Sequence, residues 1–254
     1  MSVVQLDEYG PWTVEPVPRR ETDLQALQAR LYADFADFVG RSDGYAFFNR
    51  FDNMLGVTNN IDANEYKRFQ ERIRNRYPVT VSIGIGERET PVEAVEAASA
   101  QLQAAGSAQD PERQEVLRTT ETTDSPGDMT VAHFDIVDVT GSFTDNKHAA
   151  AAGLAIQQAM VALRQRLLSE YGSIAQFVGG DNMIAVCPSL SEDTFGDIVD
   201  HVYDQTGVEY QVGIGSGPTA HVAGGQAKQA LEHCRETGTR VHEAMTVHQQ
   251  ATND

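Results

Sequence analysis

Apolar positions along the chain follow two periods. Leu24, Leu27, Leu31, Phe35 and Phe38 recur every three or four residues, which is one face of a helix. Shorter β-branched and aromatic runs, such as Val3 to Tyr9, read as strands. Taken in order, the first half predicts that strand, a proline-rich loop with Trp12, Pro16, Pro18, Arg19 and Arg20, and a helix capped by Thr22 or Asp23. A hairpin around Asp52, a helix from Asp62 to Arg76, a strand from Val79 to Gly86 and a helix from Pro91 complete it. Gly106 to Asp128, rich in charged and small residues, reads as a linker in which Pro111 to Arg118 could form a short helix. The second half repeats the order: strand Thr130–Val139, helix Lys147–Glu170, hairpin Ile174–Cys187, helix Ser191–Gln205, strand Val208–Gly215 and helix Thr219–Glu236. The polar tail beyond Val241 is expected to be disordered.

The repetition extends to residues. Phe-Asn-Arg-Phe-Asp-Asn-Met from Phe48 echoes Phe-Val-Gly-Gly-Asp-Asn-Met from Phe177, so that Asp52 falls on Asp181 at a shift of 129 residues. The same shift places Ile83-Gly84-Ile85-Gly86 on Val212-Gly213-Ile214-Gly215, and two matches at one offset indicate a duplication. The fold class expected is therefore α+β, with two tandem ferredoxin-like βαββαβ domains over residues 1–122 and 123–254. Each would have an antiparallel sheet with helices on one face, and the two free faces together would offer a ligand cleft.

Composition narrows the function. A net charge of −18, with only three lysines among 19 basic residues, would repel nucleic acid and anionic membranes. It suits a salt-rich cytoplasm or a merely acidic protein, and unfolding in low salt would separate these. No apolar run is long enough to span a bilayer and no signal segment opens the chain, so a cytoplasmic location is expected. Two cysteines, Cys187 and Cys234, without a Cys-x-x-Cys pair argue against a disulfide framework or a cysteine-rich zinc site.

The candidate chemistry lies in carboxylates. Asp135 interrupts an apolar strand, where a carboxylate is costly without a compensating cation or donors. In the split order the first strand and the hairpin are central, so Asp135 would approach Asp181. Asp7 and Asp52 have nearly the same separation in the first half. Two such carboxylates suit magnesium, which keeps waters that substrate phosphates can replace. The alternative is that Asp52 and Asp181 form turns while Asp7 and Asp135 face water. Gly179 and Gly180 would let amides approach a phosphate or serve the turn alone. Arg19 and Arg20 would clamp a triphosphate or be solvated loop charges. The Gly84 and Gly213 motifs do not complete a dinucleotide fingerprint and read as strand-end glycines. Of seven histidines, only His133 is placed for chemistry, and a packed or hydrogen-bonded histidine is the favoured reading of it.

The Gly179-Gly180-Asp181-Asn182 hairpin with Asp135-Ile136 resembles the palm domain of nucleotidyl cyclases, diguanylate cyclases and polymerases. More specifically, Gln5 to Thr13, Pro18 to Gln25 and Ile73 to Pro78 resemble archaeal GTP cyclohydrolase III, over nearly the whole chain to Arg240. That resemblance implies magnesium-dependent hydrolysis of GTP to a formylaminopyrimidine nucleoside monophosphate with release of two phosphates, for riboflavin and deazaflavin cofactors. It also implies potassium activation and a homo-oligomer. On it, Asp7 and Asp52, or Asp135 and Asp181, match the metal carboxylates, with the Ile136 carbonyl as a further ligand. Tyr9, Gly10, Pro11, Trp12, Arg19, Arg20, Asn53, Gly179, Gly180 and Asn182 match the nucleotide-binding positions, and the loops Tyr9–Thr13 and Val137–Ser142 would cradle phosphates. A palm-type cyclase releasing pyrophosphate and a non-catalytic GTP-binding regulator are the alternatives.

Overall fold

The computed structural model describes residues 1–50, 52–58, 61–120 and 127–244. The chain divides into two compact units, Met1–Glu89 with Glu93–Ser125 and Thr90–Val92 with Pro126–Asp254.

The N-terminal unit runs β1 (Ser2–Leu6), α1 (Tyr9–Val14), α2 (Glu21–Gly40), β2 (Tyr45–Arg50), β3 (Asn53–Val57), α3 (Ala63–Arg76), β4 (Val81–Ile85), α4 (Pro91–Ala104) and β5 (Leu117–Thr119). The C-terminal unit runs β6 (Met129–Ile136), a π-helical turn (Thr140–Thr144), α5 (Ala149–Tyr171), β7 (Ile174–Gly179), β8 (Asn182–Cys187), α6 (Glu192–Thr206), β9 (Tyr210–Gly217), α7 (Ala220–Thr237) and β10 (Val241–Glu243). Local chemistry sets many of these boundaries. Asp62 and Glu65 form a capping box at α3. Ser191 and Thr219 cap α6 and α7, which end on the left-handed glycines Gly207 and Gly238. At α2 the residue before the first turn is Arg20, without a side-chain cap, in place of the expected Thr22 or Asp23.

The sheets have equivalent orders, β2-β3-β1-β4-β5 and β7-β8-β6-β9-β10. The first four strands of each are antiparallel, as the split βαβ pattern requires, and a fifth short strand adds in parallel. The fifth strands correct two expectations. The 111–118 segment ends in strand β5 instead of a helix, and the tail begins with β10; residues 121–126 and 245–254 lie outside the described residues.

Helices cover both faces of each sheet, not one. In the N-terminal unit, Val4, Leu6, Met54, Val81 and Ile83 pack with Leu27, Leu31 and Phe35 of α2 and Phe69 and Ile73 of α3. In the C-terminal unit, Ala132, Phe134, Met183, Ala185, Val212 and Ile214 pack with α5 and α6. On the opposite faces α4 lies against Gly84 and Gly86, and α7 against Gly213 and Gly215. The repeated glycines are thus packing positions, and the faces expected to be free carry a helix. A Cβ on Gly213 would sit 2.1 Å from the Ala227 carbonyl oxygen and 2.3 Å from the Leu231 nitrogen. Gly213→Ala should therefore destabilise by at least ~3 kcal/mol, because two backbones must separate. Gly225→Ala, on the open side of α7, should stabilise by up to ~1 kcal/mol. Denaturant midpoints of the two variants check this contrast.

No helix among the described residues is long and apolar enough to cross a membrane. Both cysteines are free and buried, and burial pushes the Cys187 thiol up to about 12.

Candidate active site

The two central hairpins pair in the same register. Phe48 pairs with Met54 and Arg50 with Asn53 across one bulge; Phe177 pairs with Met183 and Gly179 with Asn182 across another. The second turn requires glycine, with φ of 129° at Gly179 and 64° at Gly180. A Cβ on Gly179 would meet nothing within 4 Å, so the tip is open to a ligand. Asp181 sits at that tip and accepts a hydrogen bond from the Asn182 amide at 3.2 Å.

Asp135 comes from β6 and forms an ion pair with Arg235 of α7, at 2.8 Å from Nη2, with a further Nε bond at 3.2 Å. Burial raises the Asp181 carboxyl above its usual range, and the nearby Asp135 charge raises it further, against a smaller opposing effect of Arg235. Tyr210 is coupled to the same group. Burial and then the Asp181 charge push its phenol up, and its hydroxyl is buried without a hydrogen-bond partner among the described residues. His133 is pulled down by burial, with the Asp135 charge opposing, and its Nδ1 has no partner. The predicted Asp135–Asp181 association is therefore present in the electrostatics, together with Tyr210 and Arg235, which sequence reasoning missed. Arg235 is 100 residues from Asp135, and only the helix-on-both-faces arrangement brings it there.

The N-terminal unit is not a copy of this site. Val4 lies opposite Met54 and Ile83, and Phe134 opposite Met183 and Val212. Moving one residue along each strand, Gln5 faces Ser82 and Asp135 faces Gln211. Gln5, not Asp7, is thus the counterpart of Asp135. The left-handed residues Glu8 (φ 49°) and Asp138 (φ 46°) agree with that register. Asp7 is 3% exposed, and its carboxylate accepts from Thr80 Oγ1 at 2.8 Å, Ser82 Oγ at 2.6 Å and the Glu115 amide at 2.9 Å, with Arg113 Nη1 at 3.9 Å. Three hydrogen bonds thus fill most of the roughly four acceptor sites of the carboxylate, and Arg113 adds a positive charge without a hydrogen bond. Of the expected Asp7–Asp52 metal pair, Asp7 is thus buried and turned toward β4. Asp52 is paired with Arg50 at 3.3 Å, and Arg50 stands where the second hairpin has Gly179. Asn53 is buried at the start of β3. Phe51, the counterpart of Gly180, lies outside the described residues.

In the two loops expected to cradle phosphates, several amides have partners within the protein. Tyr9, Gly10, Pro11 and Trp12 belong to α1, and the Trp12 amide donates to the Glu8 carbonyl at 2.9 Å. In the second loop the Val137 amide donates to Glu209 and the Gly141 amide to Asp138 Oδ1. The Trp12 and Gly141 amides are therefore engaged within their own turns, and the Val137 amide across to the segment before β9. Arg19 stacks over Trp12 at 3.9 Å and donates to its carbonyl at 2.8 Å, while Arg20 is exposed just before α2.

Among the described residues no cluster of three or more His, Cys, Asp or Glu side chains is placed to hold a metal alone. The donor set at Asp135 and Asp181 nevertheless fits magnesium, which is commonly held by one or two carboxylates with water and substrate phosphates completing its shell. A divalent cation held by Asp135 and Asp181 would relieve the mutual charge that raises Asp181.

The fold and site define a protein of two tandem βαββαβ units, of which the second brings Asp135 of β6 within electrostatic reach of Asp181 at the β7–β8 turn. The sequence model for GTP cyclohydrolase III matches residues 1–250. The chain is 55% identical over 245 residues to GTP cyclohydrolase III 2 of Halobacterium salinarum, covering 95% of this chain and 97% of that one. It is 50% identical over 242 residues to GTP cyclohydrolase III of Halorubrum lacusprofundi, covering 95% and 94%. The chain belongs to the GTP cyclohydrolase III family. Among solved structures, the GGDEF domain of DgcB from Caulobacter crescentus in complex with c-di-GMP aligns with 47% of this chain and 79% of its own, at 15% identity and a TM-score of 0.40.

Proposed function

We propose that this protein hydrolyses GTP, with magnesium, to a formylaminopyrimidine nucleoside monophosphate and two inorganic phosphates, and that Asp135 and Asp181 hold the metal. Membership of the family supports the activity. The observation that carries the site is the electrostatic coupling of Asp181 to Asp135, which has no counterpart in the Gln5–Asp52 pair of the first unit.

When bound, magnesium would neutralise the triphosphate and lower the pKa of a water for attack. The chain supplies the remainder. Arg235 fixes the orientation of Asp135 through its bonds to Oδ2. Gly179 and Gly180 leave the hairpin tip bare, so backbone and phosphate can approach closely. The Tyr210 hydroxyl, whose phenol burial and the Asp181 charge push up, is a buried donor near Asp181 without a partner among the described residues. One GTP consumes three waters in all: one opens the imidazole ring at the carbon between its nitrogens, and one takes each phosphoryl group. In the same reading potassium is the monovalent activator, and the enzyme works in the cytoplasm as a homo-oligomer.

Incubation with GTP, magnesium and molar potassium chloride, followed by phosphate assay and mass spectrometry of the nucleotide, tests the reaction. Two phosphates per GTP with a ring-opened monophosphate are expected. Pyrophosphate with a cyclic nucleotide, or GTP binding without turnover, would overturn it in favour of a cyclase or a regulator.

A further inference from the structure

The N-terminal unit contains a cavity of about 640 Å³ between the α1–α2 loop, α2 and the end of α3. Neither Asp7 nor Asp52 lines it. Its charged lining is Arg19, Arg20, Arg30 and Arg76 against one carboxylate, Asp23, in a chain of net charge −18. Concentrating four of the sixteen arginines around one cavity runs against the acidic surface elsewhere and creates a local positive field.

Part of this wall is held in place. Arg19 is fixed by its stacking on Trp12 and its bond to the Trp12 carbonyl. Arg76 is fixed by Asp34, at 2.7 Å and 3.0 Å, and Asp34 also accepts from the Tyr77 hydroxyl at 2.6 Å. Arg20 and Arg30, by contrast, make no ion pair or side-chain hydrogen bond among the described residues. Guanidinium groups are planar forks that match phosphate oxygens in bidentate fashion, and Tyr77 offers a ring face beside them.

We propose that this cavity binds a phosphate-bearing anion, grasped by Arg20 and Arg30 and bounded by the fixed Arg19 and Arg76. The ligand is either a free inorganic polyphosphate or the phosphate chain of a nucleotide. Such binding requires neither the Asp135–Asp181 pair nor turnover.

Titration calorimetry on the full chain, in EDTA at fixed potassium chloride, tests it with inorganic triphosphate and GTP as separate probes. One equivalent of triphosphate should bind to the wild type. Arg20→Ala with Arg30→Ala should weaken it about 100-fold, since two charge-assisted contacts are lost, whereas Asp181→Asn should bind as the wild type does. Both arginines are exposed and unbonded, so the double variant should fold, with its thermal midpoint as the check and Arg20→Gln as a milder version of the same loss. Equal affinity for both probes assigns free polyphosphate, and tighter binding of GTP assigns a nucleotide. No saturable binding of either probe, or binding unchanged in the double variant, overturns the proposal whatever the outcome of the GTP hydrolysis assay.

Discussion

Asp181→Asn is expected to reduce kcat for phosphate release by roughly a thousandfold, about 4 kcal/mol of barrier, while leaving the metal-free fold as stable as the wild type or more so. The two effects have one origin. Without a cation, Asp181 faces the Asp135 charge in partial burial, and both raise its carboxyl. A folded-state pKa above the unfolded value means that the native protein binds the proton more tightly, so the metal-free protein loses stability as pH rises through the carboxyl range. Asparagine keeps the shape and removes the charge, which flattens that dependence. On the proposed reading it also removes a magnesium ligand, so magnesium should raise the thermal midpoint of the wild type and not that of the variant. Asp52→Asn is the comparison. Asp52 is already neutralised by Arg50, and its substitution should change kcat by less than about tenfold, because an exposed ion pair contributes little. A thousandfold loss in Asp52→Asn with full activity in Asp181→Asn would move the metal site to the first unit.

The duplication, the split βαβ order and the hairpin turns were legible because they depend on local signals: two apolar periods, paired turn residues and one repeated offset. The equivalence of Asp7 with Asp135 was misread because spacing alone does not fix register. β1 and β6 are aligned by their partners, Met54 and Met183, and that alignment places Gln5 where Asp135 stands. In a sheet, register decides which neighbour a side chain meets. The fifth strands escaped because Leu117–Thr119 and Val241–Glu243 are three residues each and have no periodicity of their own. The glycines at 84, 86, 213 and 215 were visible, but their cause was not, since it lies in helices α4 and α7 packed against them. Arg235 and Tyr210 gave no sequence signal because each reaches the carboxylates only through tertiary packing.

Arg113→Ala is expected to destabilise the N-terminal unit by about 3–5 kcal/mol, the usual cost of leaving a buried charge without its partner. Arg113 is 3% exposed, and its guanidinium lies between Asp7, at 3.9 Å, and the Gln5 amide oxygen, at 3.1 Å. Its own segment is tied to the sheet by the same carboxylate, which accepts from the Glu115 amide, and by the Ser82 hydroxyl, which accepts from the Val116 amide at 3.0 Å. Removing the guanidinium leaves Asp7 buried with three donors but no positive charge, and β5 loses part of its anchor. Asp7→Ala should be at least as damaging, since it strands Arg113 and three donors together. Denaturant midpoints in molar potassium chloride should therefore fall for both variants, and the double variant should cost less than the sum of the singles because each single removes the same pair. This also decides what Asp7 is for. A structural Asp7 lowers the midpoint with or without magnesium and leaves the metal-dependent gain intact. An unchanged midpoint with magnesium-dependent turnover abolished would make Asp7 a metal ligand and restore the symmetric two-site arrangement. Arg113 places a fixed cation beside Gln5, at the register position that Asp135 holds in the second unit, which is why the proposed magnesium site falls in the second unit alone.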